Sequence, residues 1–177
     1  MQIASSKTRE KYPLSTKKVL KKTLASTLVL SLLLLVGWVI VVGLLLANNA
    51  NGGGLVLVST VGVFGFLFLV ILLTYLYQRW YYAVYFYDLT DDFVIIRKGP
   101  ITPTEVTIPY ERIQDVYMDQ DLLDRFFGLY DVHLSSATAS SGMEAHIDGV
   151  EKPAADGLKQ SLLETVRSKI SKKPSSG

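Results

Sequence analysis

No cysteine occurs anywhere in the 177 residues, which excludes disulfides, thiolate nucleophiles and cysteine metal sites. Histidine is nearly as scarce: only His133 and His146 offer an imidazole for base catalysis or metal ligation. Charge is missing in a more telling way. From residue 23 to residue 78 there is no Asp, Glu, Lys or Arg, so the 18 basic and 16 acidic side chains all lie in the flanking segments. Globular domains spread their charges along the chain; here a block fit for a bilayer is joined to a block fit for water. Also absent are a glycine-rich phosphate loop closing on Lys-Ser/Thr, a Gly-x-Ser-x-Gly elbow and a His-Glu-x-x-His pair. The 15 carboxylates between Asp88 and Glu164 are scattered over turns and polar strand faces, where solvation is their ordinary state. The chain is expected to be no enzyme and to use no cofactor.

What is present begins with two long apolar runs. Residues 24–47 are dominated by Leu and Val, with polar side-chain atoms only on Ser26, Thr27, Ser31 and Trp38. A helix of that length covers roughly 36 Å, enough for a hydrocarbon core of about 30 Å. Residues 55–77 form a second charge-free run, and Asn48-Asn-Ala-Asn-Gly-Gly-Gly54 between them is made of turn residues. The pattern predicts an antiparallel transmembrane hairpin. A cleaved signal peptide is the competing reading of the first run, but the run is too long for an h-region and a second span follows at once.

Residues 1–22 hold Lys7, Arg9, Lys11, Lys17, Lys18, Lys21 and Lys22 against Glu10 alone, a net of +6, while residues 48–54 carry no charge. The positive-inside rule then places both termini in the cytoplasm of a multi-pass plasma-membrane protein. The same lysines could form a polybasic site for anionic lipid or nucleic acid, but a topology signal accounts for them and no nucleic-acid partner is expected. Tyr75, Tyr77, Trp80, Tyr81 and Tyr82 around Arg79 read as an interfacial aromatic belt.

Past residue 80 the periodicity shortens. Strands are predicted at 81–87 and 93–97 around the turn Leu89-Thr-Asp-Asp92, at 105–109, and at 112–119 with a bulge near Gln114–Asp115, where the spacing from Ile113 to Val116 breaks the period of two. Leu122, Leu123, Phe126 and Phe127 have helical spacing, with Asp121 as N-cap and Gly128 as stop. Strands at 130–136 and 144–149 flank a Ser/Gly-rich loop. Ala155, Leu158, Leu162, Val166 and Ile170 then mark an amphipathic helix opened by Pro153, in which Gly157 costs about 1 kcal/mol relative to Ala.

Three segments carry a resemblance: Tyr87-Asp-Leu-Thr-Asp-Asp-Phe-Val-Ile-Ile-Arg-Lys-Gly99, Ile108-Pro-Tyr-Glu-Arg-Ile-Gln-Asp-Val116 and Leu123-Asp-Arg-Phe-Phe-Gly-Leu-Tyr-Asp-Val132. Over residues 80–170 the chain resembles the bacterial pleckstrin-homology-like domain of membrane proteins. The resemblance implies a two-helix transmembrane hairpin followed by a mainly β pleckstrin-homology-like barrel with a C-terminal α-helix. The expected organisation is a basic cytoplasmic segment at 1–23, a hairpin at 24–78 (helices 24–47 and 55–77), a domain at 79–172 and a disordered tail at 173–177.

Within the resembling motif Arg112, Gln114, Asp115 and Arg125 are the candidate interaction residues. The alternative is purely structural, with Arg125 paired to a carboxylate such as Asp115. The expected function is a membrane-anchored interaction module, a scaffold or accessory subunit for a larger membrane or envelope protein, or a homo-oligomer. The alternative is a sensor of membrane lipid or another ligand. Against the sensor, residues 88–164 hold 6 basic and 15 acidic side chains, and the first hairpin turn is acidic. Alternating faces in the last two strands predict His133 opposite His146, Asp131 opposite Asp148 and Ser135 opposite Glu144, on a solvent-facing stripe with no bound metal.

Overall fold

The computed structural model describes residues 6–48, 53–136 and 145–171. Most of the Asn/Gly turn, the Ser/Gly-rich loop with Glu144, and the tail at 173–177 lie outside the described residues. Two compact units emerge, one of residues 22–79 and one combining the residues up to Lys21 with those from Trp80 onward.

A short helix α1 (Lys7–Lys11) precedes two long ones, α2 (Lys17–Asn48) and α3 (Gly53–Val84). Both extend beyond the apolar runs because lysines before the first, and tyrosines with Trp80 after the second, continue a helix already nucleated. A strand expected at 81–87 is therefore helix as far as Val84, and Tyr81 lies 6.2 Å from Tyr85 between ring centres. Both helices are long and apolar enough to cross a membrane, and the apolar stretch is 0% buried in the first and 6% in the second. A core helix of a soluble protein covers such a surface. The hydroxyls of Ser26, Thr27 and Ser31 donate to carbonyls four residues back, so their polar atoms need no water. Within this unit Trp38 meets Phe64 edge to face at 5.5 Å.

The other unit contains two antiparallel three-stranded sheets: β1 (Phe86–Leu89), β2 (Phe93–Lys98) and β3 (Thr104–Pro109), then β4 (Ile113–Asp119), β5 (Leu129–Ser136) and β6 (Ala145–Glu151). Helix α4 (Leu122–Phe127) joins β4 to β5, and α5 (Lys152–Ser171) closes the chain. Among the described residues no ladder joins the sheets, so the barrel expectation holds only as far as two sheets and a helix. Pro109, which lacks an N–H, ends β3, and a 3-10 turn at Tyr110–Arg112 redirects the chain.

The bulge falls between Ile113 and Asp115, as the spacing predicts. In the last hairpin His133 faces His146, but a second bulge shifts the register between Tyr130 and Val132, so Asp131 does not face Asp148 squarely. The bulge includes Gly149 at φ +78. The expected pairing of Ser135 with Glu144 lies outside the described residues.

Ala155, Leu158, Leu162 and Val166 of α5 are buried against the sheets, whereas Ile170, expected on the same stripe, is exposed. The N-terminal residues belong to this core too. Leu14 is buried and bridges to Val150, Ser15 N–H donates to the Gly149 carbonyl, and the Tyr82 hydroxyl donates to the Leu14 carbonyl. A Cβ on Gly157 would lie 2.5 Å from the Tyr12 ring, so the helix-weakening glycine makes room for this segment.

Candidate functional site

The sequence Asp121-Leu-Leu-Asp124 folds α4 by a reciprocal capping box: each carboxylate accepts the other residue's backbone N–H. Gly128 ends the helix in the left-handed region at φ 68. The same two carboxylates receive Lys21 from the first turns of α2, with Nζ 2.5 Å from Asp124 and 3.0 Å from Asp121. Asp124 is 1% exposed. Partial burial raises the Asp121 pKa, but the Asp124 N–H and Lys21 outweigh it and hold the carboxyl below its ordinary range.

One helical turn earlier, Lys18 meets Asp148 of β6 at 2.8 Å in a buried pair and lies over the Tyr85 ring at 3.9 Å. Alternation alone assigns Asp148 to a solvent stripe; the start of α2 covers it instead. Asp131 stands nearby and accepts the Gly149 N–H at 2.8 Å. Its pKa is raised, first by burial and then by Asp148.

The capping and the lysine contact leave one face of α4 bare. Leu122 is 85% exposed and Phe126 80%, one helical turn apart, and Phe127 meets Phe126 edge to face at 5.2 Å. Arg125 is exposed beside them. It does not pair with Asp115 among the described residues; Asp115 accepts the N–H of its neighbour Val116. The tie from α4 to the domain runs through Asp124 and Lys21. Arg112, Gln114 and Asp115 are also exposed, but they sit at the start of β4 while α4 opens at its end, roughly 17 Å of extended chain away. The four motif residues thus form two surfaces, and Leu122 and Phe126 join Arg125 on one of them.

The histidine stripe forms a stack. His133 lies between Tyr117 at 4.9 Å and His146 at 5.4 Å, and its Nε2 is 3.1 Å from Asp119 Oδ1. Ligand atoms of Asp119, Asp131 and His133 lie within 4.8 Å of one another, a set able to meet a cation. His146 instead has Lys98 Nζ at 3.5 Å.

A family model described as bacterial PH domain matches residues 23–166. No curated protein and no solved structure matches the chain.

Proposed function

The chain belongs to the bacterial PH domain family, and from that premise we propose that it is a membrane-anchored interaction module, a scaffold or accessory subunit for another membrane or envelope protein. The observation that carries this reading is the bare face of α4, where Leu122 and Phe126 stand in solvent beside Arg125. Aromatic side chains and arginine are the residues that dominate binding energy at protein interfaces. The partner that fits is a protein surface with an apolar pocket for Phe126 and Leu122 and a carboxylate at its rim for Arg125. Lys21, which fastens α4 through Asp121 and Asp124, is two residues before the charge-free run begins. A membrane protein therefore suits the role of partner. Helices α2 and α3 serve as the anchor, with both termini in the cytoplasm.

The test is a photo-crosslinking residue at position 126 of the full chain in cells. The expected product is one membrane protein, identified by mass spectrometry, whose yield falls on Leu122→Asp and on Arg125→Glu. A crosslink that ignores both substitutions, or one confined to lipid or to a second copy of the chain, would overturn the proposal.

A further inference from the structure

The register of β4 and β5 sets Asp119 directly opposite Asp131, and Tyr117 opposite His133. Two carboxylates opposed across a ladder repel each other. The lysines that reach this part of the domain are taken up elsewhere, Lys18 by Asp148 and Lys21 by Asp121 and Asp124. Among the described residues no lysine or arginine lies within ion-pair distance of Asp119 or Asp131. Lys21 reaches Asp131 only through its more distant field.

His133 stands beside the two carboxylates. Its Nε2 is 3.1 Å from Asp119 Oδ1, and ligand atoms of Asp119, Asp131 and His133 all lie within 4.8 Å of one another. Around a tetrahedral ion with ligands at about 2.0–2.2 Å, neighbouring ligand atoms are roughly 3.4 Å apart. No pair therefore has to close by more than about 1.4 Å, and the Asp119 side chain, 57% exposed, can make that move. The other two groups are already oriented. Asp131 accepts the Gly149 N–H at 2.8 Å on one oxygen, which leaves the second for a ligand. The His133 ring is held between Tyr117 at 4.9 Å and His146 at 5.4 Å. Such supporting contacts fix the direction of a metal ligand. His146 stays outside the set, because it stacks on His133 and has Lys98 Nζ 3.5 Å from its Nε2.

We propose that Asp119, Asp131 and His133 bind a divalent transition-metal ion of the zinc class, with water in the fourth position. One imidazole with two carboxylates suits such an ion, whereas Mg²⁺ and Ca²⁺ prefer shells made of oxygen alone. The ion neutralises the opposed carboxylates and ties the end of β4 to β5, two residues before the Asp121 cap of α4. Alternation along the last hairpin shows only the two histidines, with no support around them. Asp119 comes from a third strand and the orienting N–H from the bulge at Gly149, and neither is visible in that pattern. The site is independent of the α4 face, and its failure leaves that reading untouched.

The experiment uses the full chain in neutral detergent, purified without a histidine tag and freed of metal by chelation. It is titrated with Zn²⁺ and with Co²⁺; calorimetry reads stoichiometry and affinity, and the visible Co²⁺ spectrum reads coordination. One ion per chain is expected. Asp119→Asn, Asp131→Asn and His133→Gln should each weaken binding about tenfold or more. Asp156→Asn, which removes an exposed carboxylate of α5, should leave it unchanged. The absence of a saturable site overturns the proposal, as does equal affinity in the unmodified and Asp119→Asn chains. Loss of binding on His146→Gln with retention on Asp119→Asn also overturns it, since the ion then belongs to the histidine pair. Unfolding midpoints of the metal-free variants check that each keeps the fold. Asp119 is the most exposed of the three, so its variant decides the question even where a more buried substitution unfolds the chain.

Discussion

Lys18 Nζ lies 2.8 Å from Asp148 Oδ1, with side chains 3% and 7% exposed. The pair joins the first turn of α2 to the last strand of the second sheet, residues 130 positions apart. Desolvation makes a buried ion pair a weak stabiliser relative to an apolar pair of the same shape, but removing one partner leaves an uncompensated charge. Lys18→Met is expected to cost about 3–5 kcal/mol, because it leaves Asp148 buried with Asp131 close by. The double replacement Lys18→Met with Asp148→Leu should cost clearly less. Chemical unfolding of the solubilised full chain, read as a double-mutant cycle, decides it. Additive costs would show that the two groups do not act as a pair.

Gly149 makes that pair possible. At φ +78, a Cβ there would approach the Lys18 side chain to 2.6 Å, and the lysine cannot swing aside without leaving Asp148. Gly149→Ala is expected to destabilise by about 1–3 kcal/mol. Gly128, at φ +68 with open space around it, provides the comparison: its alanine variant bears the backbone cost alone, about 1 kcal/mol. Equal unfolding shifts for the two variants would mean that the contact with Lys18 adds nothing.

Periodicity carried much of the fold into view. The charge-free runs, the bulge after Ile113, the Asp121 cap with its Gly128 stop, and the buried stripe of α5 are local patterns, and each is set by neighbours within a few residues. The misread stretch, 81–87, is rich in aromatic residues with high strand propensity, which a helix already under way overrides. The site was less legible. Lys18 and Lys21 look like a topology signal because the residues that receive them lie 100 or more positions later. The one sequence sign was a charge imbalance, basic before the hairpin and acidic after it. Likewise, helical spacing alone could not tell that Leu122 and Phe126 would remain in solvent; that follows from which face Lys21 holds.

Acid should loosen α1 before the sheets. Asp88 Oδ1 accepts from the Ser6 hydroxyl at 2.9 Å, the Thr8 N–H at 3.2 Å and the Leu89 N–H at 3.1 Å. Burial raises its pKa, but these bonds outweigh burial and hold it below the ordinary 3.8. A carboxyl with a lowered folded value stabilises above its unfolded pKa, and the contribution is lost as pH falls through the folded value. Asp131, with a raised value, has the opposite sign: its charge costs stability above the ordinary aspartate range and ceases to do so below it. The difference between the wild-type chain and Asp88→Asn isolates the first effect. Asp88→Asn is expected to lower stability by about 1 kcal/mol at neutral pH and by progressively less below about pH 4. Thermal unfolding of both chains across that range is the measurement, and a pH-independent difference would contradict the assignment.

The orientation of the hairpin can be tested through the lysines themselves. Residues 1–22 carry a net of +6 and residues 48–54 carry none, a difference from which the positive-inside rule predicts a basic flank in the cytoplasm. A reporter active only in the cytoplasm should work when fused after Gly177, and one active only after export should work when inserted at Asn51. Four of the seven basic residues also have structural work: Arg9, Lys17, Lys18 and Lys21 hold the N-terminal segment to the globular unit. Replacing Lys7, Lys11 and Lys22 by Gln should therefore preserve orientation, because four positive charges still outweigh Glu10 beside an uncharged loop. Inversion of either reporter in the unmodified chain would remove the cytoplasmic placement and, with it, any cytoplasmic partner for the face of Leu122 and Phe126.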